Sequence, residues 1–323
     1  MLLSCGEALI DFLPVAATDG GTAMRPFVGG SCYNVAVGMA RLGAPTGFIG
    51  GISTDLFGRM IEQHAAESGV DLRFATRSVH QTKLAFVSVV GGQPHYEFCD
   101  ENTASRNWSY RPGAISFAGV DALHLGSSAL VDEGSASYSR SLIADARGAA
   151  TISFDPNCRP GRVIDKASYV ANVEGFIAAS DIVRMSDADF DYLYGGDNYE
   201  TKAQSMLAGT AKLVVITCGE HGALAWHARA GAFSIAAPKT EVVDTVGAGD
   251  SFQAALLFAL RALRRIERAA LAQASRDELQ RALKFAAACA AVTCSRASAN
   301  PPRRKEVEGV MAALLEANSG NRS

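Results

Sequence analysis

Two aspartates, Asp244 and Asp250, enclose a glycine-rich turn whose composition suits phosphate chemistry. The turn, Gly247-Ala248-Gly249, leads into a segment with the apolar spacing of an amphipathic helix. Glycines let the backbone approach a ligand closely, and the free N–H groups at a helix start form an anion site. Asp250 would repel a phosphate held there, yet it is well placed to take a proton from a hydroxyl that attacks the phosphate. The pattern indicates phosphoryl transfer, with a helix cap as the alternative for an isolated aspartate.

Other nucleotide-binding and catalytic motifs are missing from the sequence. The P-loop pattern GxxxxGK[ST] does not occur. The dinucleotide fingerprint GxGxxG fails at its third glycine, because Gly249 is followed by Asp250-Ser251-Phe252, and this argues against an NAD-dependent oxidoreductase. There is no GxSxG elbow for acyl transfer, and the histidines show no metal or triad spacing. We expect His124, inside an apolar strand, to be a core residue.

The seven residues from Asp244 to Asp250 resemble the DTxGAGD signature of the ribokinase-like (PfkB) sugar kinases. The resemblance implies that Asp250 is the catalytic base. It also implies that the amides of Gly247, Ala248 and Gly249 form the anion hole for the transferring phosphoryl group. Asp244 would help to organise a monovalent cation. ATP and Mg²⁺ are the implied cofactors, and a requirement for K⁺ is left open.

A second glycine-containing segment, Gly29-Gly30-Ser-Cys-Tyr-Asn34, precedes a predicted helix. Taken alone, a Gly-Gly pair in this place is typical of a turn and cap. The segment resembles the GGxxxN signature of the same family, which implies that Gly29, Gly30 and Asn34 face the sugar and that Asp11 binds its hydroxyls. Carboxylate and amide groups suit this task because they hydrogen-bond readily to a vicinal diol.

Two further segments are expected to meet the nucleotide. Residues 215–222 form a strand and a glycine-containing turn that resembles the TxGxxG segment of the family, which places Thr217, Gly219 and Gly222 beside ATP. The small-residue helix and loop over 285–298 resemble the elements that flank adenine and complete the cation site.

The segment Asp155-Pro-Asn157-Cys-Arg159 resembles the DxNxR motif of the fructokinase and ketodeoxygluconate-kinase branch. The resemblance places Asn157 and Arg159 near phosphate and metal; we assign Asn157 to the nucleotide and Arg159 to the substrate. The chain departs from the family at Ser186 to Asp189, where many relatives have NxxE. Asp189 can still hold a water on Mg²⁺ through its shorter carboxylate.

Apolar, β-branched runs alternate with helix-like spacing over most of the chain, which predicts an α/β fold with a mainly parallel sheet and helices on both faces. With the resemblance, the fold class is a ribokinase-like three-layer αβα sandwich. The predicted strands are Leu2 to Ile10, Thr46 to Ile49, Ala122 to Leu125, Thr151 to Phe154, Ile182 to Met185 and Leu213 to Thr217. The predicted helices are Tyr33 to Leu42, Leu56 to Ser68, Ser135 to Arg147, Lys166 to Ala179, Glu200 to Ala208, Ser251 to Ile266, Asp277 to Cys294 and Arg304 to Ala317.

Two stretches interrupt this alternation. Residues 84–98 form a hairpin-like pair around Gly91-Gly92, and Phe12 to Phe27 is expected to be a loop-rich excursion. We predict that segments 12–27 and 84–106 make a small β lid at the carboxyl edge of the sheet, where open α/β sheets bind ligands. No long linker is present, so residues 1–323 are expected to be one kinase domain.

Composition narrows the choice of partners. The chain has 323 residues and a formal net charge of -3, with no basic stripe, so a nucleic-acid partner is not expected. The beginning of the chain lacks the basic start of a signal peptide, and no apolar window is long enough for a membrane span. The seven cysteines show no metal-ligand spacing and suggest a reducing compartment, the cytoplasm.

These motifs predict an ATP-dependent sugar kinase that converts D-fructose to fructose 6-phosphate. The run from Tyr96 to Arg106 is similar to that of fructokinases, and Asp100-Glu101 places acid where an acid-sugar kinase would need a cation. Arg106, which we assign to the substrate, keeps a 2-keto-3-deoxygluconate kinase or a ribokinase-type activity as alternatives. A non-catalytic regulator that binds sugar or nucleotide is the alternative from a different class. Dimerisation is left open.

Overall fold

The central sheet dominates the computed structural model, which describes residues 1–90, 93–131, 133–196, 198–310 and 312. The strands in this part of the chain are β1 (Leu2–Cys5), β2 (Leu9–Ala16), β3 (Thr22–Gly29), β4 (Thr46–Ile49), β5 (Gly51–Ser53), β6 (Val70–Asp71), β7 (Thr76–Ser78), β8 (Lys83–Val90), β9 (Gln93–Cys99), β10 (Ala122–Gly126), β11 (Thr151–Asp155), β12 (Ile182–Ser186), β13 (Leu213–Thr217), β14 (Ala223–His227) and β15 (Gly231–Ile235). The central sheet has the order β15-β14-β13-β12-β11-β10-β1-β4-β6, and its pairs are parallel except at β13-β14 and β14-β15. The mainly parallel sheet is therefore confirmed.

Helices cover both faces of this sheet. In the described residues they are α1 (Ser31–Arg41), α2 (Leu56–Ser68), α3 (Glu133–Ala146), α4 (Lys166–Ala178), α5 (Asp187–Tyr194), α6 (Tyr199–Ala208), α7 (Ala248–Ala262), α8 (Arg268–Ala272) and α9 (Arg276–Cys294). Successive strand residues point to opposite faces, so Leu2 and Ile182 pack with α1, α7 and α9, whereas Leu3 and Val183 pack with α3 to α6. The result is the predicted three-layer αβα sandwich.

The lid is a four-stranded sheet of order β3-β2-β8-β9. The expectation of a loop-rich excursion over Phe12 to Phe27 is wrong, because β2 and β3 form a regular antiparallel pair there. Pro14 and Pro26 obscured these strands in the sequence, since proline within a strand usually argues against one. Phe12 stacks on Phe86 of β8 with ring centroids 4.9 Å apart, which joins the two lid segments.

The predicted first strand, Leu2 to Ile10, is two strands in two sheets. β1 ends at Cys5 in the central sheet, and β2 starts at Leu9 in the lid. The chain changes sheets at Gly6, where an added Cβ would lie 2.7 Å from the Cys32 side chain. The apolar run concealed this break because both strands are buried at the junction.

Two of the three C-terminal helices are confirmed with shifted ends. The helix predicted from Ser251 begins earlier, at Ala248, and ends at Ala262. The helix predicted over Arg304 to Ala317 starts as a 3₁₀ turn, Arg304–Val307, and most of its second half lies outside the described residues, as does the Gly91-Gly92 turn. None of the helices in the described ranges is long and apolar enough to cross a membrane.

Candidate active site

Asp250 lies in the first turn of α7, and its side chain is buried. Its Oδ1 accepts a hydrogen bond from Ser31 Oγ at 2.7 Å, and its Oδ2 accepts one from Asn34 Nδ2 at 2.9 Å. Both donors belong to the start of α1, so the starts of two helices meet at this carboxylate. Burial raises the pKa of Asp250, and the two hydrogen bonds with the charges of Arg159 and Arg184 oppose that rise without cancelling it. A carboxylate with a raised pKa is a better proton acceptor near neutral pH.

The turn that precedes Asp250 presents free backbone N–H groups. Within the described residues, the amides of Gly247, Gly249 and Asp250 donate to no other backbone or side-chain group, whereas Ala248 N donates to Thr245 O at 3.2 Å. The first N–H groups of a helix carry partial positive charge and favour anions. Two of the three predicted anion-hole amides are therefore open, and the amide of Asp250 itself joins them.

Both glycines of the turn are required by their surroundings. Gly247 has φ 76°, and an added Cβ would lie 2.5 Å from the Cβ of Ala299. At Gly249 an added Cβ would lie 2.7 Å from Nη1 of Arg184. A side chain at either position would displace the turn or its neighbours.

Asp244 joins this turn to the loop after α9. Its Oδ1 accepts a hydrogen bond from Val246 N at 3.0 Å, and its Oδ2 accepts one from Ser298 N at 2.8 Å. The amides of Val243 and Asp244 also donate to the carbonyl of Cys294 at the end of α9. The role of Asp244 in a monovalent cation site stays a prediction. The loop after α9, which was predicted to complete that site, contacts Asp244 through Ser298.

Asp11 lies in the lid strand β2, close to the first helix start. An added Cβ at Gly29 would lie 2.1 Å from Asp11 Oδ2, so Gly29 leaves the space that the carboxylate fills. At Gly30, which has φ 107°, an added Cβ would lie 2.4 Å from Glu7 O. Burial together with the charges of Glu7 and Asp250 raises the pKa of Asp11 to about 7, against the lowering effect of Arg159. The carboxylate is thus near the base, and no hydrogen-bond donor contacts it within the described residues.

Asn34 and Asn157 take part in the hydrogen bonding around the base. Asn34, predicted to face the sugar, donates its amide to Asp250, and Asn157, predicted to meet the nucleotide, donates its amide to Ser31 Oγ at 2.5 Å. Ser31 therefore links Asn157 to Asp250. Asn157 adopts φ 39°, a conformation that a non-glycine residue rarely occupies. Their predicted contacts with the ligands stay predictions, and their shared effect in the structure is to orient the carboxylate of Asp250.

Arg159 and Asp189 hold the loop after β11. Nη1 of Arg159 donates to the carbonyl of Cys158 at 2.9 Å. Asp189 Oδ1 accepts from Cys158 N at 2.7 Å, and its Oδ2 accepts from the hydroxyl of Ser186 in a capping box at the start of α5. Among the described residues no group of three His, Cys, Asp or Glu side chains could hold a metal ion.

A cavity of about 990 Å³ lies on one side of the phosphate turn. Gly222, with φ 91°, is required there because an added Cβ would lie 2.0 Å from Ile235 O. The cavity brings together the turn and three of the four predicted nucleotide residues, whereas the fourth, Asn157, does not line it. Its lining includes Arg184, Ser186, Thr217, Gly219, Gly222 and Gly249.

A second cavity of about 890 Å³ lies under the lid. Arg106 and Arg159, both assigned to the substrate, line it with Tyr96 and Arg162. Asp250 and Asp11 do not line this cavity, but the charge of Arg159, which does, lowers the pKa of both carboxylates. We call it the sugar-side cavity.

Sequence reasoning missed three residues of the site. Ser31 was passed over within the glycine motif, although it contacts the base directly. Arg184 lies inside the apolar run of β12, and Lys83 begins the apolar strand β8; both are buried. A charge within a buried strand is a signal that could have found them, because a charge is buried only with partners.

A buried carboxylate beside open helix-start amides, with a cavity along the turn, defines a phosphotransferase that acts on a hydroxyl. Residues 1–306 match the model of the pfkB family carbohydrate kinases. The chain belongs to this family, and it is a carbohydrate kinase.

Similar proteins, found by comparison of sequences and of structures, include fructokinases. A fructokinase of Rhizobium leguminosarum bv. trifolii is 37% identical over 261 residues, which cover 81% of this chain and 80% of that protein. The crystal structure of a fructokinase with bound ATP from Xylella fastidiosa has TM-score 0.87 and 26% identity and covers 98% of both chains. A fructokinase double mutant of Vibrio cholerae O395, in its fructose, ADP and potassium ion bound form, has TM-score 0.77 and 25% identity and covers 98% of this chain and 97% of that chain.

Proposed function

We propose that this protein transfers the γ-phosphate of ATP to D-fructose and forms fructose 6-phosphate and ADP. The observation that carries the proposal is the buried carboxylate of Asp250 next to the open amides of Gly247 and Gly249. The relatives described above, which are fructokinases, support fructose as the acceptor.

In this mechanism Asp250 accepts the proton of the sugar hydroxyl as that oxygen attacks the γ-phosphorus. The amides of Gly247, Gly249 and Asp250 stabilise the charge that develops on the phosphoryl oxygens, and Arg159 adds positive charge from the sugar side. Asp11 accepts hydrogen bonds from the sugar hydroxyls and fixes the acceptor near the base. The lid excludes water that would otherwise hydrolyse ATP.

The residues fit a nucleotide-borne metal ion better than a protein-only site. Mg²⁺ is commonly held by one or two carboxylates with substrate phosphates and waters, and bound Mg²⁺ neutralises charge on the β- and γ-phosphate oxygens. Asp189 already accepts hydrogen bonds from Cys158 N and Ser186, and a carboxylate retains room for one water on a metal. We propose Asp189 for that water-mediated contact and Asp244, beside the loop after α9, for a K⁺ site.

Charge in the sugar-side cavity supports a neutral sugar. Asp100 Oδ2 lies 3.2 Å from Lys83 Nζ and 3.3 Å from Arg106 Nε, and it also accepts a hydrogen bond from Arg162. Lys83 pairs with Glu7 as well. The lining of the cavity carries as many acids as cations, namely Asp100, Glu101 and Asp165 against Arg106, Arg159 and Arg162. This balance leaves little attraction for the carboxylate of an acid sugar.

A sugar panel tests the proposal. ADP release is measured with ATP, Mg²⁺ and K⁺ against D-fructose, 2-keto-3-deoxygluconate and D-ribose, and kcat/KM is expected to be largest for D-fructose. A larger value for the acid sugar would overturn the assignment and would make Arg106 its carboxylate partner. Binding of sugar and nucleotide without ADP release would instead favour the non-catalytic regulator.

All seven cysteines are free thiols, which supports the proposed cytoplasmic location. A homodimer and the single-domain organisation of residues 1–323 remain proposals. Gel filtration with light scattering would establish whether the protein is a homodimer.

Asp11→Ala is expected to weaken fructose binding about tenfold to a hundredfold, since a carboxylate that accepts sugar hydroxyls loses one or two charge-assisted hydrogen bonds. ADP binding should not change. The pKa of Asp11, raised to about 7, adds a pH signature: the group is protonated below that pH, so fructose binding by the parent protein should weaken as pH falls through it. Calorimetry between pH 6 and 8 on parent and variant measures both effects.

Glu97→Ala is the matched control for Asp11→Ala, because Glu97 is an exposed carboxylate of the lid strand β9. It should bind fructose like the parent at every pH. An equal loss of ADP affinity in Asp11→Ala would place Asp11 outside the sugar pocket.

Hydrogen exchange is expected to show that sugar protects the lid. Both edges of the lid sheet, β3 and β9, lack a further strand in the described residues, and the lid packs its apolar side on a small cluster around Ile10 and Tyr33. Protection of Leu9–Gly29 and of the β8 to β9 segment should rise with fructose, and much less with an ATP analogue alone. The same protection in apo, nucleotide-bound and sugar-bound protein would exclude closure by the sugar.

A further inference from the structure

Arg184 is a buried cation in the middle of β12, where only 6% of its surface is exposed. Its Nη1 donates to Asp155 Oδ2 at 2.6 Å, and its Nη2 donates to the hydroxyl of Thr217. Asp155 and Thr217 end the neighbouring strands β11 and β13, so the guanidinium is fixed across the ends of these two strands.

These two hydrogen bonds leave at least one N–H group of the guanidinium unpaired. Its Nε is buried and has no hydrogen-bond partner in the described part of the chain. An unpaired buried donor on a charged group is costly, and such a group commonly awaits a ligand. The side chain also lines the 990 Å³ cavity that holds Thr217, Gly219 and Gly222.

Arg184 lies directly beneath the phosphate turn. The position of an added Cβ at Gly249 is 2.7 Å from Nη1 and 2.9 Å from Nη2. An anion that is held by the open amides of Gly249 and Asp250 on the cavity side would therefore meet a second positive group. Arg159 lines the other, sugar-side cavity, so only Arg184 of these two arginines shares a cavity with the turn.

We propose that Arg184 binds the polyphosphate of the nucleotide from the floor of this cavity and is held in place for that purpose by Asp155 and Thr217. The inference rests on the proposed nucleotide site, but it concerns nucleotide binding and needs no particular sugar. Asp155 fixes one edge of the guanidinium, which leaves its remaining N–H groups for phosphate oxygens. Lysine would not replace it fully, because an ammonium cannot bridge a carboxylate, a hydroxyl and a phosphate in one plane.

The charge state supports this role. Burial lowers the pKa of Arg184, but the charges of Asp155, Asp189 and Asp250 raise it, and the net direction is upward. The guanidinium is therefore charged throughout the working pH range. A permanent cation in a partly dry cavity attracts phosphate more strongly than one in water.

Calorimetric titration of Arg184→Gln and Arg184→Lys with ADP and with adenosine, in Mg²⁺ buffer without sugar, tests the proposal. The ratio of ADP affinity to adenosine affinity should fall about tenfold to a hundredfold in Arg184→Gln and by a smaller factor in Arg184→Lys. This ratio does not depend on the folded fraction, so it separates a phosphate contact from a loss of structure. Arg184→Lys retains the charge, and it gives the same test if Arg184→Gln does not fold.

Arg261→Gln is the matched control, because Arg261 pairs with Asp121 at 2.8 Å at the far end of α7, away from the cavity. Its ratio should equal that of the parent. A parental ratio in both Arg184 variants would overturn the inference while leaving the kinase proposal intact. Failure of the parent protein to bind ADP would overturn the nucleotide site and the inference together.

Discussion

Replacement of Asp250 by asparagine is expected to lower kcat by roughly 10²- to 10⁴-fold with saturating fructose and ATP, the usual contribution of a general base. The amide keeps the shape of the carboxylate and an oxygen for one of the donors Ser31 and Asn34, so folding and ADP binding should change little. The loss arises because an amide cannot accept the proton of the sugar hydroxyl. Steady-state ADP release and a thermal melt on the same sample measure turnover and folding.

Asp277→Asn is the matched control for this experiment. Asp277 is also an aspartate in the first turn of a helix, α9, but it is mostly exposed and far from the phosphate turn. It should retain the parental rate. At least half of the parental kcat in Asp250→Asn would show that another group removes the proton.

The raised pKa of Asp250 sets the sign of the pH dependence. Burial favours the protonated carboxylic acid, which is inactive as a base, so kcat should fall on the acid side at a higher pH than an ordinary aspartate would give. The small residual kcat of Asp250→Asn should not show this fall at acid pH, because the variant has no carboxylate to protonate at this position.

The parallel sheet was predictable because its strands are nearly continuous apolar runs. The predicted bounds of Thr46–Ile49, Leu213–Thr217 and helix Leu56–Ser68 match the observed ones. Parallel strands are buried on both faces, and such runs leave a clear pattern in the sequence. The lid was not predictable to the same degree, because β2 and β3 carry prolines and many half-exposed positions.

Site residues could be predicted from the sequence where the chemistry demands a particular residue type. The hydrogen-bond partners that the fold brings to those residues could not. Asp250 and the glycines at 247 and 249 stood out because their types are unusual together. The contacts of Asn34 and Ser31 with Asp250 join residues more than 200 positions apart, and no local pattern records them. Arg184 was hidden for the same reason, since its partners end two other strands.

Gly247→Ala is expected to reduce kcat/KM for ATP by about 10²- to 10³-fold, comparable with the loss of an anion-hole donor. An added Cβ at Gly247 would lie 2.8 Å from the backbone Cα of Ala299, and backbone cannot rotate away as a side chain does. The positive φ of 76° adds strain of its own. Both effects displace the amides of Gly247 and Gly249 from the positions that meet the phosphoryl oxygens, while Asp250 keeps its ability to accept a proton.

Gly69→Ala separates the two effects of Gly247→Ala. Gly69 ends α2 with φ 80°, close to that of Gly247, but an added Cβ there meets nothing within 4 Å. The strain of placing a side chain at positive φ should therefore lower the free energy of unfolding by a similar amount in the two variants, about 1 kcal/mol. Only Gly247→Ala should lose activity, and ADP release at a temperature where both variants are folded measures the difference. Equal activity in the two variants would mean that the positions of these amides do not set the rate, and stabilisation of the phosphoryl oxygens would then be assigned to Arg159 and Arg184 instead.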